Sequence, residues 1–242
     1  MKGIVLAAGQ AQRLRPLTAD LPKTLLPVDG ERTILDVALA NLRAVGVEEV
    51  AVVTGFAGAR IEERAPQLAR THGVSLELVR NDRPDWNNAY SLWVARDAFR
   101  SGALLVNGDT VHPVAVEERL LAARGAGLVL AVDDEKPLGE EEMKVLLSPD
   151  GALQRINKAV DPAAAQGEYI GLALIEPDAA DGLAEALEAT WRRDTTLYYE
   201  DGFQAYADAG GQVRAAPIGS VAWIEVDDHD DLARARALAV SS

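Results

Sequence analysis

Four short apolar runs, KGIVLA (2–7), EEVAVVTG (48–55), VSLELVR (74–80) and ALLVNGD (103–109), alternate with segments of helical periodicity along the first half of the chain. The first, short and continuously apolar, fits a central strand of a parallel sheet, and the other three read as further strands. Parallel neighbours require a crossover, and residues 34–45, 58–71 and 91–99 supply helices for it. Thr33 stands where an N-cap belongs, and Gly46 where a helix-ending glycine does. The pattern leaves this half few options beyond a right-handed, doubly wound α/β arrangement.

The second half breaks the alternation. GLVLAVDD (127–134), MKVLLS (143–148), ALQRINK (152–158) and EYIGLALI (168–175) follow one another as strands, with SPDG (148–151) a hairpin turn between two of them. Helices are expected at about 177–190 and 200–209, strands near 212–216 and 221–226, and a last helix from Asp228 to Ala239. There is no internal repeat and no linker-like tract, so residues 1–242 read as one domain. Its expected form is α/β: a Rossmann-like, doubly wound, mostly parallel mixed sheet over about 1–125, extended by a β-rich half over about 126–242.

Composition narrows the chemistry. With no cysteine among 242 residues, disulfides, thiolate metal sites and cysteine nucleophiles are excluded, which suits a cytoplasmic setting. A net charge of −14 opposes general binding to nucleic acid. No window approaches the ~18 apolar residues of a membrane span, and the apolar part of MKGIVLAAG is too short for a signal peptide. An anionic ligand must therefore meet a local group of cations or a metal ion. The densest cationic segment near a strand end is LAAGQAQRLRPLTADLPKTLLP (6–27).

Ligands of open α/β sheets bind beyond the carboxyl ends of the strands. The pattern brings three segments to that edge: 9–23 after the first strand, 81–88 after the third, and Asp109 after the fourth. The first can aim backbone N–H groups, a guanidinium and an ammonium at a phosphate chain. It contains neither GxxxxGKS/T nor GxGxxG, and taken alone it reads equally as a surface loop with solvated cations. Asp109 reads either as a cap for the next segment or as a ligand for Mg2+, which takes one or two carboxylates together with phosphate oxygens and water. His72, His112 and His229 lack the ligand spacing of a zinc site.

LAAGQAQRLRPLTADLPKTLLPV also resembles, position by position, the opening signature LAAGxGxRLxPLTxxxPKxLxPV of sugar-phosphate and choline-phosphate nucleotidyltransferases. It departs at Ala11 and Gln12, where that family usually has Gly and then Ser or Thr. The resemblance implies that Leu6, Ala7, Ala8, Gly9 and Gln12 wrap a nucleoside triphosphate, with Arg13 and Lys23 on its phosphates and Arg15 in solvent. Ala11 is expected to keep an ordinary negative φ, since an L-residue in the left-handed region costs about 1 kcal/mol or more. Gln12 is then expected to donate to phosphate in place of the hydroxyl. Gly108 in VNGDT joins the nucleotide site, and Asp109 with Asp227 of WIEVDDHDDL align with the family's two metal-binding acids. Asp228, Asp230 and Asp231 read as opening the final helix.

NDRPDWNNAYSLW (81–93) is similar to the narrower branch of choline-phosphate and phosphonate cytidylyltransferases. It makes Asn81 and Asn88 candidate contacts to a pyrimidine edge, for which an amide has both donor and acceptor. The same asparagines suit an Asx turn and an N-cap. Lys144 and Lys158, flanking SPDG, resemble the branch's lysines, and at least one is expected on substrate phosphate. Tyr169, Tyr198, Tyr199, Glu200, Asp201 and Trp223 bring rings and acids to the acceptor side, and the YYED cluster is the best candidate for an amine-binding wall. Core packing is the commoner fate of such rings.

The activity implied is Mg2+-dependent transfer of CMP from CTP to a small phosphorylated alcohol or phosphonate, phosphocholine-like, with release of pyrophosphate. A hexose-1-phosphate or inositol-phosphate acceptor is the near alternative. A non-catalytic nucleotide-binding regulator on the same fold is the alternative of another class, and an oligomer is compatible with the sequence.

Overall fold

The computed structural model describes residues 1–239. Strand β1 (Lys2–Ala7) leads through a long loop into a small ribbon, β2 (Pro27–Asp29) and β3 (Arg32–Thr33), and then helix α1 (Ile34–Ala44). The alternation continues with β4 (Glu49–Thr54), α2 (Ala59–His72), β5 (Ser75–Arg80), α3 (Asn88–Val94) and β6 (Ala103–Asn107). Next come β7 (Thr110–Val111), α4 (Ala115–Ala122), β8 (Leu128–Asp133), β9 (Lys144–Leu147), β10 (Leu153–Asn157) and β11 (Gly167–Ile175). The chain closes with α5 (Ala180–Arg193), α6 (Tyr199–Asp208), β12 (Val213–Pro217), β13 (Ile224–Glu225) and α7 (His229–Ala239).

Among the described residues the main sheet has nine strands, seven of them in the order β10-β9-β11-β6-β1-β4-β5, while β8 pairs with β11 and β12 with β8. The segment β6-β1-β4-β5 is parallel, as the apolar runs require. Alternation along β1 sends Ile4 to the face covered by α3, α5 and α6, and Val5 to the face covered by α1, α2 and α4. A smaller core, in which Leu14, Leu26, Val28, Val226 and Leu232 are buried, fastens the loop after β1 to α7.

Strand β11 joins the two halves. It runs antiparallel to β6, with Leu172 opposite Val106 and Ile175 opposite Ala103. Its first residues therefore overhang the carboxyl end of β6, where Gly167 and Glu168 pair with β9 instead. The departure is made at Gly171, whose φ of 83° and whose contact with Asn107 leave no room for a Cβ. The overhang walls off a space above β6 and β1.

Two elements differ from expectation. The strand read over 221–226 is reduced to β13, which pairs antiparallel with the two-residue β7 outside the main sheet. The helix read over 91–99 begins earlier, at Asn88, and gives way to a 3-10 turn over Arg96–Phe99. Among the described residues, no helix is long and apolar enough to cross a membrane.

Thr33 caps α1 as its position implied: its Oγ1 accepts from the Asp36 amide, and Asp36 Oδ2 accepts from the Thr33 amide at 2.9 Å. His72 Nε2 lies 2.7 Å from Asp36 Oδ1 and ties the end of α2 to the cap. Burial pushes the Asp36 carboxyl up, but hydrogen bonds from His72 and Thr33 outweigh it and hold the pKa at about 2. Because the folded value lies below the unfolded one, the stabilisation is complete above pH ~4 and lost as pH falls through about 2. Asp36→Ala is expected to cost about 1 kcal/mol at neutral pH and progressively less toward pH ~2, as denaturant titrations at stepped pH would read.

Candidate active site

The carboxyl ends of β1 and β6 carry the site. Leu6, Ala7 and Gly9 line a pocket of about 110 Å³ together with Ala11, Lys23, Thr24, Gly108 and Asp109. Ala8 is buried beneath it, its carbonyl accepting from the Phe56 amide at 3.0 Å. Gly108 is confined by contact: a Cβ there would lie 2.3 Å from the Leu6 carbonyl oxygen, so any larger residue would push Asp109 out of place. Sequence reasoning placed these residues together, and the β1–β6 pairing supplies the reason.

The expectation for Ala11 and Gln12 is corrected. Ala11 has φ 45° and ψ 53°, in the left-handed region. Its carbonyl accepts from the Thr18 hydroxyl at 2.8 Å and from the Leu14 amide at 3.2 Å, so the turn holds the conformation that glycine would adopt freely. Gln12 opens a short 3-10 turn, is exposed, and donates to Gln10 Oε1 at 3.3 Å rather than facing the pocket.

The cations and acids converge. Lys23 Nζ lies 2.9 Å from Asp109 Oδ2 and 2.9 Å from Asp227 Oδ1, while Arg13 Nη2 lies 2.5 Å from Asp227 Oδ2. Burial pushes the Lys23 ammonium's pKa down, but Asp109 and Asp227 push it up further, so the net shift is upward. Burial likewise raises the Asp227 carboxyl, and Lys23 and Arg13 bring it below its ordinary value. Asp227 is fixed from behind, since Asp231 Oδ2 accepts from the Asp227 and Asp228 amides at 3.1 Å. Asp228 in turn accepts from the Asp230 and Asp231 amides at the start of α7.

Sequence reasoning missed Glu225. It stands two residues before Asp227 at a strand end, a spacing that puts both side chains on one side. Asp109, Glu225 and Asp227 each offer an oxygen, all within 4.8 Å of one another. Glu225 is exposed as a residue, but crowding of its carboxyl by the surrounding protein, then repulsion from Asp109 and Asp227, pushes its pKa up. Asp109 Oδ1 is buried without a hydrogen-bond partner. A hard, all-oxygen donor set with an unsatisfied carboxylate oxygen fits a hard divalent cation such as Mg2+. The three histidines are engaged elsewhere: His72 with Asp36, His112 with Glu117, and His229 with the Arg15 carbonyl.

Next to the acids, and sharing them, lies a cavity of about 460 Å³ under the β11 overhang. Arg13, Asn88, Lys158, Tyr169, Tyr198 and Glu200 line it, as do Asn107 and Glu168, which the sequence did not single out. Lys158 is exposed, with only a loose ion pair to Glu141 at 3.6 Å. Lys144 is corrected: it is wholly buried, and its ammonium donates to the carbonyls of Gly139, Glu140 and Glu142 at 2.9–3.1 Å, holding that loop instead of facing a ligand. Asn81 is corrected as well. It is buried, donates to the Ser91 hydroxyl at 2.9 Å and accepts from the Arg83 amide at 2.7 Å, which is the Asx turn. Asn87 caps α3, leaving Asn88 on the cavity wall with its oxygen accepting from the Tyr199 amide at 2.9 Å.

The YYED cluster is divided by its helix. Tyr199 is buried against Tyr169 and Phe203, its hydroxyl donating to Asn107 Oδ1 at 2.9 Å, and Asp201 accepts from the Tyr198 amide as part of the α6 cap. Neither is free to form a wall as expected. Tyr198 and Glu200 remain at the cavity. Glu200 is buried with one carboxylate oxygen unpartnered, and burial pushes its pKa up to about 8.

A Rossmann-like sheet gathers a cation-bearing loop and three acids that could hold a metal ion at the carboxyl ends of its central strands. The chain belongs to the MobA-like NTP transferase domain family, which it matches over residues 3–194, and that family is one of enzymes. It is 34% identical over 241 residues to the CMP-5'-(3-aminopropyl)phosphonate synthase of Streptomyces rubellomurinus, covering 96% of this chain and 37% of that one. It is also 34% identical over 106 residues to the choline-phosphate cytidylyltransferase of Streptococcus pneumoniae, covering 43% of each. The chain thus spans less than half the length of either relative in those matches. The inositol-1-phosphate CTP transferase from T. maritima shares the fold, with a TM-score of 0.83 at 22% identity over 98% of this chain and 94% of that one.

The strained alanine gives a direct check on the loop. Ala11→Gly is expected to stabilise the protein by about 1 kcal/mol, raising Tm by roughly 2–4 °C, with the gain read by calorimetry.

Proposed function

We propose that the protein is a divalent-cation-dependent cytidylyltransferase that joins CMP from CTP to a small phosphate or phosphonate acceptor and releases pyrophosphate. The observation that carries the reading is the group of Asp109, Glu225 and Asp227 with Lys23 and Arg13 between a phosphate-sized pocket and a larger cavity. The choice of CTP is supported by the names of the two 34% identical relatives. We take residues 1–242 as one domain, since strands of both halves share the sheet.

The acceptor oxygen is already ionised at neutral pH, so attack on the α-phosphorus needs no side-chain base. The work left to the protein is alignment and charge neutralisation. Arg13 holds the departing pyrophosphate, Lys23 neutralises the reacting phosphates, and Lys158 orients the acceptor from the other side. Asn88 is the candidate contact to the base, and Leu6, Ala7, Gly9 and Gly108 offer backbone to the nucleotide. Bound at Asp109, Glu225 and Asp227, a divalent ion would supply further positive charge to the phosphates.

The far end of the cavity supports a cationic acceptor tail. Glu200 is a buried acid with no cation beside it among the described residues, largely protonated at neutral pH, and a positively charged group would favour its ionised form. Tyr198, 39% exposed, gives that tail one aromatic face.

Purified protein supplied with each NTP, Mg2+ and a panel of acceptors is expected to release pyrophosphate with CTP and an amino-alcohol phosphate or aminoalkylphosphonate. Silence with all of those acceptors, against turnover of hexose or inositol phosphates, would overturn the reading. Glu200→Gln is expected to lower kcat/KM roughly tenfold or more for cationic-tailed acceptors and to change it little for a neutral-tailed one.

A further inference from the structure

The two phosphate-binding cations and the metal-binding acids are each other's partners. Lys23 takes one oxygen from each of Asp109 and Asp227, and Arg13 takes the second oxygen of Asp227. Both oxygens of Asp227 and one of Asp109 are therefore spent on side chains that a triphosphate would also claim. We propose that Lys23 and Arg13 hold the carboxylates in competition with the divalent ion, and that a bound triphosphate releases the acids by drawing these two cations onto its own oxygens. The inference rests on the nucleotide and ion sites named under Proposed function, and it adds how the two communicate.

The charge balance sets the sign. The ammonium and the guanidinium offset the two aspartates they pair with, and an ion entering alone must displace two cations about 3 Å from its ligands. A triphosphate brings several negative charges to which both cations can turn. With Lys23 and Arg13 moved to phosphate, the acids face the ion unopposed. Coupling is reciprocal, so the ion must favour the nucleotide by the same factor. Arg13 has the freedom to make the exchange, with 70% of its side chain exposed. Lys23 is only 14% exposed, but its ammonium borders the pocket that Gly9 and Gly108 also line, so a short swing reaches either partner.

Any metal–nucleotide site shows some coupling through direct metal–phosphate bonds. The distinguishing measurement is therefore ion affinity with no nucleotide present. Mn2+ serves as the probe, with free Mn2+ counted by its EPR signal. Lys23→Met is expected to bind Mn2+ about tenfold tighter than the unmodified protein, and Arg13→Met a few-fold tighter. Adding CTP is expected to tighten Mn2+ binding strongly in the unmodified protein and much less in Lys23→Met, after subtraction of a CTP-only control. Asp109→Asn is expected to lose Mn2+ binding in either background.

Should Lys23→Met fail to fold, the exposed Arg13→Met carries the same comparison. Equal or weaker nucleotide-free Mn2+ affinity in both cation variants, with normal binding in the presence of CTP, would overturn this inference alone. No Mn2+ binding to the unmodified protein even with saturating CTP would overturn the site reading and the inference with it.

Discussion

One buried ammonium organises this protein. Lys23 belongs to the loop after β1, Asp109 to the turn after β6, and Asp227 lies at the head of α7, so a single side chain ties together three distant parts of the chain. Burial alone would make the cation costly, and two carboxylates at 2.9 Å reverse the cost. Loss of any one member leaves the others charged and unpaired in a confined space, which is why the surroundings brace all three. The Val226 amide donates to the Asp109 carbonyl at 2.9 Å, β13 pairs with β7, and the small core around Leu14, Val226 and Leu232 locks the loop against α7.

The parallel core was legible because its constraint is local. A strand buried on both faces must be apolar throughout, so β1, β4 and β6 announce themselves, while the half-exposed edge strand β5 does not share that pattern. The cap at Thr33 and the turn at SPDG are local too, and both stand where expected. The rim that carries the proposed nucleotide site followed from the topology, because the carboxyl ends of adjacent parallel strands share one edge. Glu225 was hidden for a different reason. Its neighbours in sequence are apolar, its strand is two residues long, and only the pairing of β13 with β7 sets it beside Asp109.

Residue type was an unreliable guide wherever a tertiary contact could claim the same group. Asn81 and Asn88 are chemically alike, yet a serine on α3 and the turn at Arg83 consume the first, while the second is left at a cavity. Lys144 and Lys158 flank one hairpin. The first enters the sheet beside β11 and spends all three donors on loop carbonyls; the second lies just past β10 and stays free to move. Ala11 carries the reverse lesson. The chain path is fixed by Thr18 and Leu14 around it, and the absent glycine is tolerated at a conformational cost instead of rerouting the loop.

On the proposed reading, a chain of net charge −14 that handles polyanions must separate its charges in space. The separation is visible along the cavity. Arg13 and Lys23 stand at its β1 end and Lys158 on its far rim, while Glu168, Glu200 and Glu225 line the interior between and beyond them. On the proposed reading, a phosphate group entering this space is attracted by Arg13 and Lys23 at one end and by Lys158 at the rim, and meets no cation at Glu200. A simple dianion gains from those cations and from nothing at Glu200. An acceptor carrying a positive charge behind its phosphate gains at both, and it alone also relieves the uncompensated burial of Glu200. The interior then acts as a filter on the acceptor by rewarding a cationic tail that the other acceptors lack.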